Sequence, residues 1–166
     1  RSIQTLDKTF GVTGEGFEPN GALVRNNVEL SDDDLQARQA DLSFRLLGAC
    51  LSLCHNSNIV KKEGLWQAIG DPTDSACAVA GWKINGDVKK FSHRHPRHNE
   101  FFFDSVRKRM SVVHEYEGEH WVFSKGSAGG FKDIATTKIV DNQFVPLTEE
   151  DWKRISDMND EMGSQA

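Results

Sequence analysis

The side chains with most chemistry to offer fall into a few groups. The densest is His93-Arg-His-Pro-Arg-His98. Three imidazoles this close could ligate zinc or copper, which ask for three or four donors. The spacing lacks the i, i+4 geometry of a helical pair, Pro96 breaks any helix, and Arg94 and Arg97 repel a cation. A solvated loop is therefore expected, strongly basic below the ordinary His pKa of about 6.5. A metal-responsive binding module built on His93, His95 and His98 stays open as the alternative. Cys50 and Cys54 stand one helical turn apart within Leu46-Leu-Gly-Ala-Cys-Leu-Ser-Leu-Cys54, apolar enough to read as core. Arg107-Lys108-Arg109, with Arg94 and Arg97 upstream, suggests a patch for phosphates. Those phosphates belong to a nucleic acid or to a nucleotide. A net charge of −5 favours the smaller ligand and no nucleic acid.

Several phosphate and hydrolase signatures are absent. There is no Walker A pattern, no Gly-x-Gly-x-x-Gly opening a helix, no Gly-x-Ser-x-Gly and no His-Glu-x-x-His. Asp7-Lys8-Thr9 starts like an aspartyl-phosphate motif but continues Phe10-Gly11, and reads as chance.

Three segments carry more. They are Gly70-Asp-Pro-Thr-Asp-Ser-Ala76, Phe103-Asp-Ser-Val-Arg-Lys-Arg-Met-Ser-Val-Val113 and Lys125-Gly-Ser-Ala128. An aromatic ring at Phe103 offers a face for a base; such stacking is worth ~1–3 kcal/mol in single-strand binders. Asp74, near a helix start, can accept from an adenine amino group, where guanine presents a carbonyl. Lys125 precedes Gly126 and Ser127, small residues that let backbone approach a ligand. Lys108 can reach outer phosphates. Taken singly, each residue has a plainer reading: core aromatic, helix-start acid, solvated lysine.

In order and spacing the three segments resemble the cytosolic nucleotide-binding domain of type II P-type cation-transporting ATPases. The patterns there are Gly-Asp/Glu-x-Thr-Glu-x-Ala, Phe-x-Ser-x-Arg-Lys-x-Met-Ser and Lys-Gly-Ala-x-Glu. Val12-Thr-Gly-Glu-Gly-Phe-Glu-Pro-Asn-Gly21 and Leu147-Thr-Glu-Glu-Asp-Trp-Lys-Arg-Ile155 are similar to the opening and closing of that domain. The resemblance implies ATP as ligand, with Mg2+ in the parent protein. It implies Phe103 stacking on adenine, Asp74 and Lys125 around the adenosine, and Lys108 toward the phosphates. Gly126, Ser127 and, more weakly, Arg107 complete the set. It implies no catalytic group and no metal ligand within the chain. The expected partners are ATP and the phosphorylation and membrane domains of one parent chain, a cation pump with calcium favoured and magnesium or another cation open. The place would be the cytoplasmic side of an integral membrane protein. Departures are Asp74 for Glu, Ser105 where some calcium pumps carry arginine, and Lys125-Gly-Ser-Ala-Gly-Gly130 without Pro-Glu.

The elements that must hold these residues read as α+β, an antiparallel β-sheet flanked by helices, in one domain over residues 1–166. Residues 1–24 give short strands broken by glycine. Ser31-Asp-Asp-Asp34 opens a helix expected to run unbroken to about Cys54, with Leu35, Leu42, Leu46, Ala49 and Leu53 at helical spacing. Thr73 is expected to cap a second helix, Asp74 to about Lys83. Residues 84–99 read as a loop or frayed edge. Strands are expected at Phe101–Phe103, Ser111–Tyr116 and His120–Ser124, then a short helix after Gly126 and a strand–turn–strand over 139–145. Thr148-Glu-Glu-Asp151 begins a last helix through Met162.

Composition agrees with a packed domain: 166 residues, 37% hydrophobic, with ten Phe and four Trp. No run of 18 apolar residues exists, so no segment here is expected to enter a membrane. Three cysteines cannot all pair, which favours a reducing compartment. Without an initial Met, the chain reads as a piece of something longer.

Overall fold

The computed structural model describes residues 1–164. Four short strands, β1 (Ser2–Gln4), β2 (Thr9–Val12), β3 (Leu23–Arg25) and β4 (Val28–Glu29), pair antiparallel in that order. Two helices follow, α1 (Asp32–Arg38) and α2 (Leu42–Leu53). The single helix expected from Ser31 to Cys54 is thus broken at residues 39–41. Ser31 caps α1 through a box with Asp34, as its acids suggest, but Asp41 starts a new cap and accepts from the Ser43 and Phe44 amides. Lys8 holds that cap at 2.5 Å, which gives the Asp7-Lys8 turn a structural use.

A hairpin follows, β5 (Asn58–Lys62) and β6 (Leu65–Ile69). The sequence reading passed over it. Its signal was a Glu63-Gly64 turn, both residues at positive φ, between two short runs with alternating apolar residues. Helix α3 (Pro72–Asn85) takes its cap from Asp71, not from Thr73 as expected. Pro72 at the first helical position presets φ, and the Asp71 carboxylate accepts from the Thr73 and Asp74 amides. Residues 84–99 are not a loop. Asp87 caps a helix α4 (Val88–Arg94), and the next strand begins before Phe101.

That strand is β7 (Arg97–Asp104), joined to β8 (Arg109–Tyr116) and β9 (Glu119–Gly126) in an antiparallel sheet. A short 3-10 turn at Ala128–Gly130 occupies the expected place after Gly126. Strands β10 (Thr137–Val140) and β11 (Gln143–Pro146) pair across Asp141-Asn142, and α5 (Glu149–Ser164) closes the described chain. Thr148 and Asp151 form the reciprocal cap the sequence suggested.

The α+β class and the antiparallel pairing hold, but the strands form four separate sheets around a central helix pair. One side of α2 (Ala49, Leu53, Cys54) packs on Met110, Val112, Tyr116 and Phe123 of β8–β9. Cys54 is fully buried and Cys50 half-buried, in agreement with the core reading of both. Phe44 packs on Phe10 and Leu23 of the first sheet together with Ile84 of α3. Ala78 and Val79 of α3 pack on Ile59.

The two central helices touch through glycines. A Cβ on Gly81 would lie 2.7 Å from Ser52 Oγ and 2.8 Å from the Ser52 amide nitrogen; one on Gly48 would lie 2.7 Å from Ile84 Cγ2. Overpacking of this kind costs typically ~1–3 kcal/mol. Gly81→Ala should therefore lower unfolding free energy by about that amount in urea titration. Gly129→Ala, whose Cβ meets nothing within 4 Å, should change it little.

Candidate functional site

The register of β7–β8–β9 decides which predicted residues meet. Phe102 and Phe103 sit in an irregular stretch of β7, between the pairs Phe101↔Ser111 and Asp104↔Arg109, where together they oppose the single residue Met110. Met110 pairs with Lys125 on β9. Two strand spacings of about 4.8 Å therefore separate the Phe103 and Lys125 backbones, about 10 Å in all. Phe103 is 65% exposed, beside Phe101 at 48% and Phe102 at 72%, so this strand presents a run of bare rings that could serve as a stacking platform.

Asp74, one turn into α3, ion-pairs with Lys125. Its second oxygen accepts from the Asn56 amide at 2.7 Å. Burial pushes the Asp74 carboxyl up, but Lys125, the Asn56 amide and the charges around them together hold it below the ordinary carboxylate value. The two residues expected to flank one ligand are thus already partnered with each other. Each carboxylate oxygen keeps a second lone pair for a further donor.

Lys108 does not lie on a strand. It ends the turn between β7 and β8, in the left-handed region at φ 52°. The Asp104 carboxylate accepts from the Val106 and Arg107 amides, both at 2.8 Å, and the Asp104 carbonyl accepts from the Lys108 amide at 2.6 Å. On the other side, Ser127 donates its amide to the Lys108 carbonyl at 3.1 Å. A Cβ on Gly126 would collide with that same carbonyl, and one on Gly130 would come within 2.9 Å of the Arg107 carbonyl. Arg109 ties the two loops together by donating to the Gly130 carbonyl at 2.7 Å. Residues 126–130 are glycine-rich because the Lys108 turn lies directly against them. The Lys108 side chain is exposed. Arg107 points elsewhere: its guanidinium donates back to the Phe102 carbonyl at 2.9 Å.

The histidines of the basic run separate. His95 packs between Phe91 and Tyr116, His98 lies against His120, and His93 lines a cavity on α4. Among the described residues no group of three or more His, Cys, Asp or Glu could hold a metal ion. The alternative metal module is thereby left without a site.

Sequence reasoning passed over Asn56 and read Arg97 only as a charge in the basic run, where the structure makes it an anchor. Arg97 donates to the Leu53 and His55 carbonyls at the end of α2, to Asn56 Oδ1, to Glu100 and, through Nε, to His114 Nε2 at 3.3 Å. With Nε2 accepting, His114 donates from Nδ1 to the His95 carbonyl at 2.6 Å. No local spacing announces either residue, since their partners are up to 44 positions away.

A family profile described as P-type ATPase, cytoplasmic domain N matches residues 43–166. A calcium-transporting ATPase of Bacillus subtilis is 38% identical over 122 residues, covering 72% of this chain and 13% of the relative. Calcium-transporting ATPase 1 of Lactococcus lactis is 27% identical over 174 residues, covering 99% and 19%. A putative calcium-transporting ATPase 11, plasma membrane-type, of Arabidopsis thaliana is 29% identical over 165 residues, covering 96% and 16%. The chain thus spans between 13% and 19% of the length of these relatives. No helix among the described residues is long and apolar enough to cross a membrane.

The buried bases and the Asp74 pair set a pH dependence. Burial pushes both His55 and His114 below the ordinary imidazole value. The unfolded chain then takes up protons first, so stability present above about pH 6.5 falls as pH drops through and below it. Asp74 adds a second loss, below its unfolded value of about 3.9. Urea midpoints should fall between about pH 7 and about pH 5, before most carboxylates titrate. A flat profile across that window would contradict the neutral His114 arrangement.

Proposed function

The chain belongs to the P-type ATPase cytoplasmic domain N family, and from that premise we propose that it binds ATP and presents it to a phosphorylation domain elsewhere in the same parent chain. Adenine stacks on Phe103. Its amino group reaches Asp74, and Lys125, held by Asp74, lies beside the base. Lys108 faces the phosphates from the turn that Gly126 and Ser127 support. The observation that supports this reading is the neighbourhood of Phe103, Met110 and Lys125 on three adjacent strands, with Asp74 paired to Lys125 and the Lys108 turn lying against Gly126 and Ser127 beside it.

Phosphoryl transfer rests on positioning and charge neutralisation. In this reading the chain supplies positioning and one or two charges, and no nucleophile. An aspartate of the phosphorylation domain accepts the γ-phosphate. The chain alone binds ATP without turning it over. The residues present do not make a Mg2+ cage, since no carboxylate cluster of the required size exists among those described. Mg2+ neutralises phosphate charge in such reactions, and here it would arrive on the nucleotide. The parent protein is then an ATP-driven cation pump embedded in a membrane. The names of the relatives favour calcium as its ion.

Isothermal titration tests the site. ATP should bind more tightly than GTP, because Asp74 can accept from an amino group and repels a carbonyl. Phe103→Ala should weaken ATP binding by the ~1–3 kcal/mol of a lost stack, about five- to 150-fold. Equal affinity for ATP and GTP, or an unchanged Phe103→Ala variant, would refute the placement of the base. Gly126→Ala should weaken ATP more than adenosine, because it displaces the Lys108 turn and leaves the Phe103 ring in place.

A further inference from the structure

The basic run around His93 has no part in the nucleotide reading. With Lys89 and Lys90 it makes residues 88–98 a stretch of four Lys or Arg and three His without one carboxylate, in a chain of net charge −5. The fold winds this stretch into α4, a corner at Pro96 and the first turn of β7. Between it and the turn from α2 to β5 lies a cavity of about 450 Å3. Lys89 and His93 line it from α4, Arg97 from β7, and His55 and Asn58 from the turn; no Asp or Glu lines it.

Its chemistry is that of an anion site. Lys89 and His93 are exposed and make no side-chain hydrogen bond or ion pair among the described residues. Arg97 has committed its donors to the protein and is ion-paired with Glu100, so it shapes the wall and adds a partly offset charge. In the wall, both ring nitrogens of His55 are buried with no hydrogen-bond partner. Enclosed by protein, they do not reach the cavity, to which His55 gives a wall and no donor. A recess of this size takes a small molecule and not a polymer backbone.

We propose that this cavity binds a phosphate group, as free inorganic phosphate or on a small ester, through Lys89 and His93 beside Arg97. The site is separate from Phe103 and Lys125. The two share one wall, the His55–Asn56 turn, whose Asn56 amide holds Asp74 at 2.7 Å.

The isotope-labelled chain should be titrated by NMR with sodium phosphate at constant ionic strength, with sodium chloride as reference. Saturable shifts are expected at residues 55–58 and 89–97, with millimolar affinity. A Lys89→Ala/His93→Ala double variant should keep the native spectrum elsewhere and bind at least about tenfold more weakly, a loss of ~1.4 kcal/mol. Glycerol phosphate in a parallel titration separates the sources. Tighter binding assigns the rest of the cavity to the alcohol of an ester, and equal binding assigns free phosphate. Phe103→Ala should leave the phosphate titration unchanged, so a failure of the nucleotide reading does not touch this one. Shifts that fail to saturate, that chloride reproduces, that gather at Lys108 and Lys125, or that persist in the double variant would overturn the proposal.

Discussion

The Arg97 guanidinium makes five hydrogen bonds, to Leu53, His55, Asn56, Glu100 and His114. Two of them satisfy carbonyls at and just beyond the end of α2, groups that no helix can satisfy internally. A third needs His114 neutral, because only a neutral imidazole has a nitrogen left to accept. His114 is fully buried, and burial favours that neutral form. Arg97 therefore fixes the α2 terminus to β7 and β8 together. From there the order passes in three steps to the residues proposed to face the nucleotide. Arg97 holds Asn56 by its side chain; the Asn56 amide holds Asp74; Asp74 holds Lys125. Remove the guanidinium and four buried or half-buried acceptors lose their donor at once.

The second constraint is conformational. Lys108 occupies the left-handed region, which costs a non-glycine residue roughly 1–2 kcal/mol. A lysine could be spared this by a glycine at the same position, yet the side chain is retained. Two loops offset the cost. Asp104 organises the turn from within, while Gly126, Ser127 and Gly130 close on it from outside. Glu63 and Glu117 take the same conformation in the β5–β6 and β8–β9 turns, and the contacts from both sides are what set the Lys108 turn apart. The same logic explains why this loop needs small residues after Lys125 even without the Pro-Glu of the family pattern.

How much of this was legible in the sequence follows from the range of each interaction. Caps and turns are local, so Ser31, Thr148 and the Glu117-Gly118 and Asp141-Asn142 turns could be read directly. The break at Asp41 was hidden because the leucines continue at helical spacing on both sides of it. Asp71 was passed over in favour of Thr73, though Pro72 between them marks the start of α3 and points to the residue before it as the cap. The α4 residues were polar enough to read as loop, and only Asp87 as a cap and Val88 as a buried anchor say otherwise. Phe103, Asp74, Lys108 and Lys125 are proposed through their motifs. Asn56 and Arg97 belong to no motif, and their importance exists only once α2, α3 and β7 are brought together.

Exposure decides how the proposed nucleotide would be held. Lys108 stands in open water, where one charge pair at 4 Å is worth about 1 kcal/mol, against about 4 at a protein surface of lower dielectric. Lys125 is half-buried but already neutralised by Asp74. The chain therefore has little charge left to give the phosphates, and its net −5 opposes them at long range. An exposed phenyl ring carries no such penalty, and stacking loses little to solvent or salt. In this reading the base carries most of the affinity of the chain, and the phosphates remain largely uncommitted. That division suits a domain whose proposed task is to hand the phosphates to another part of the same protein.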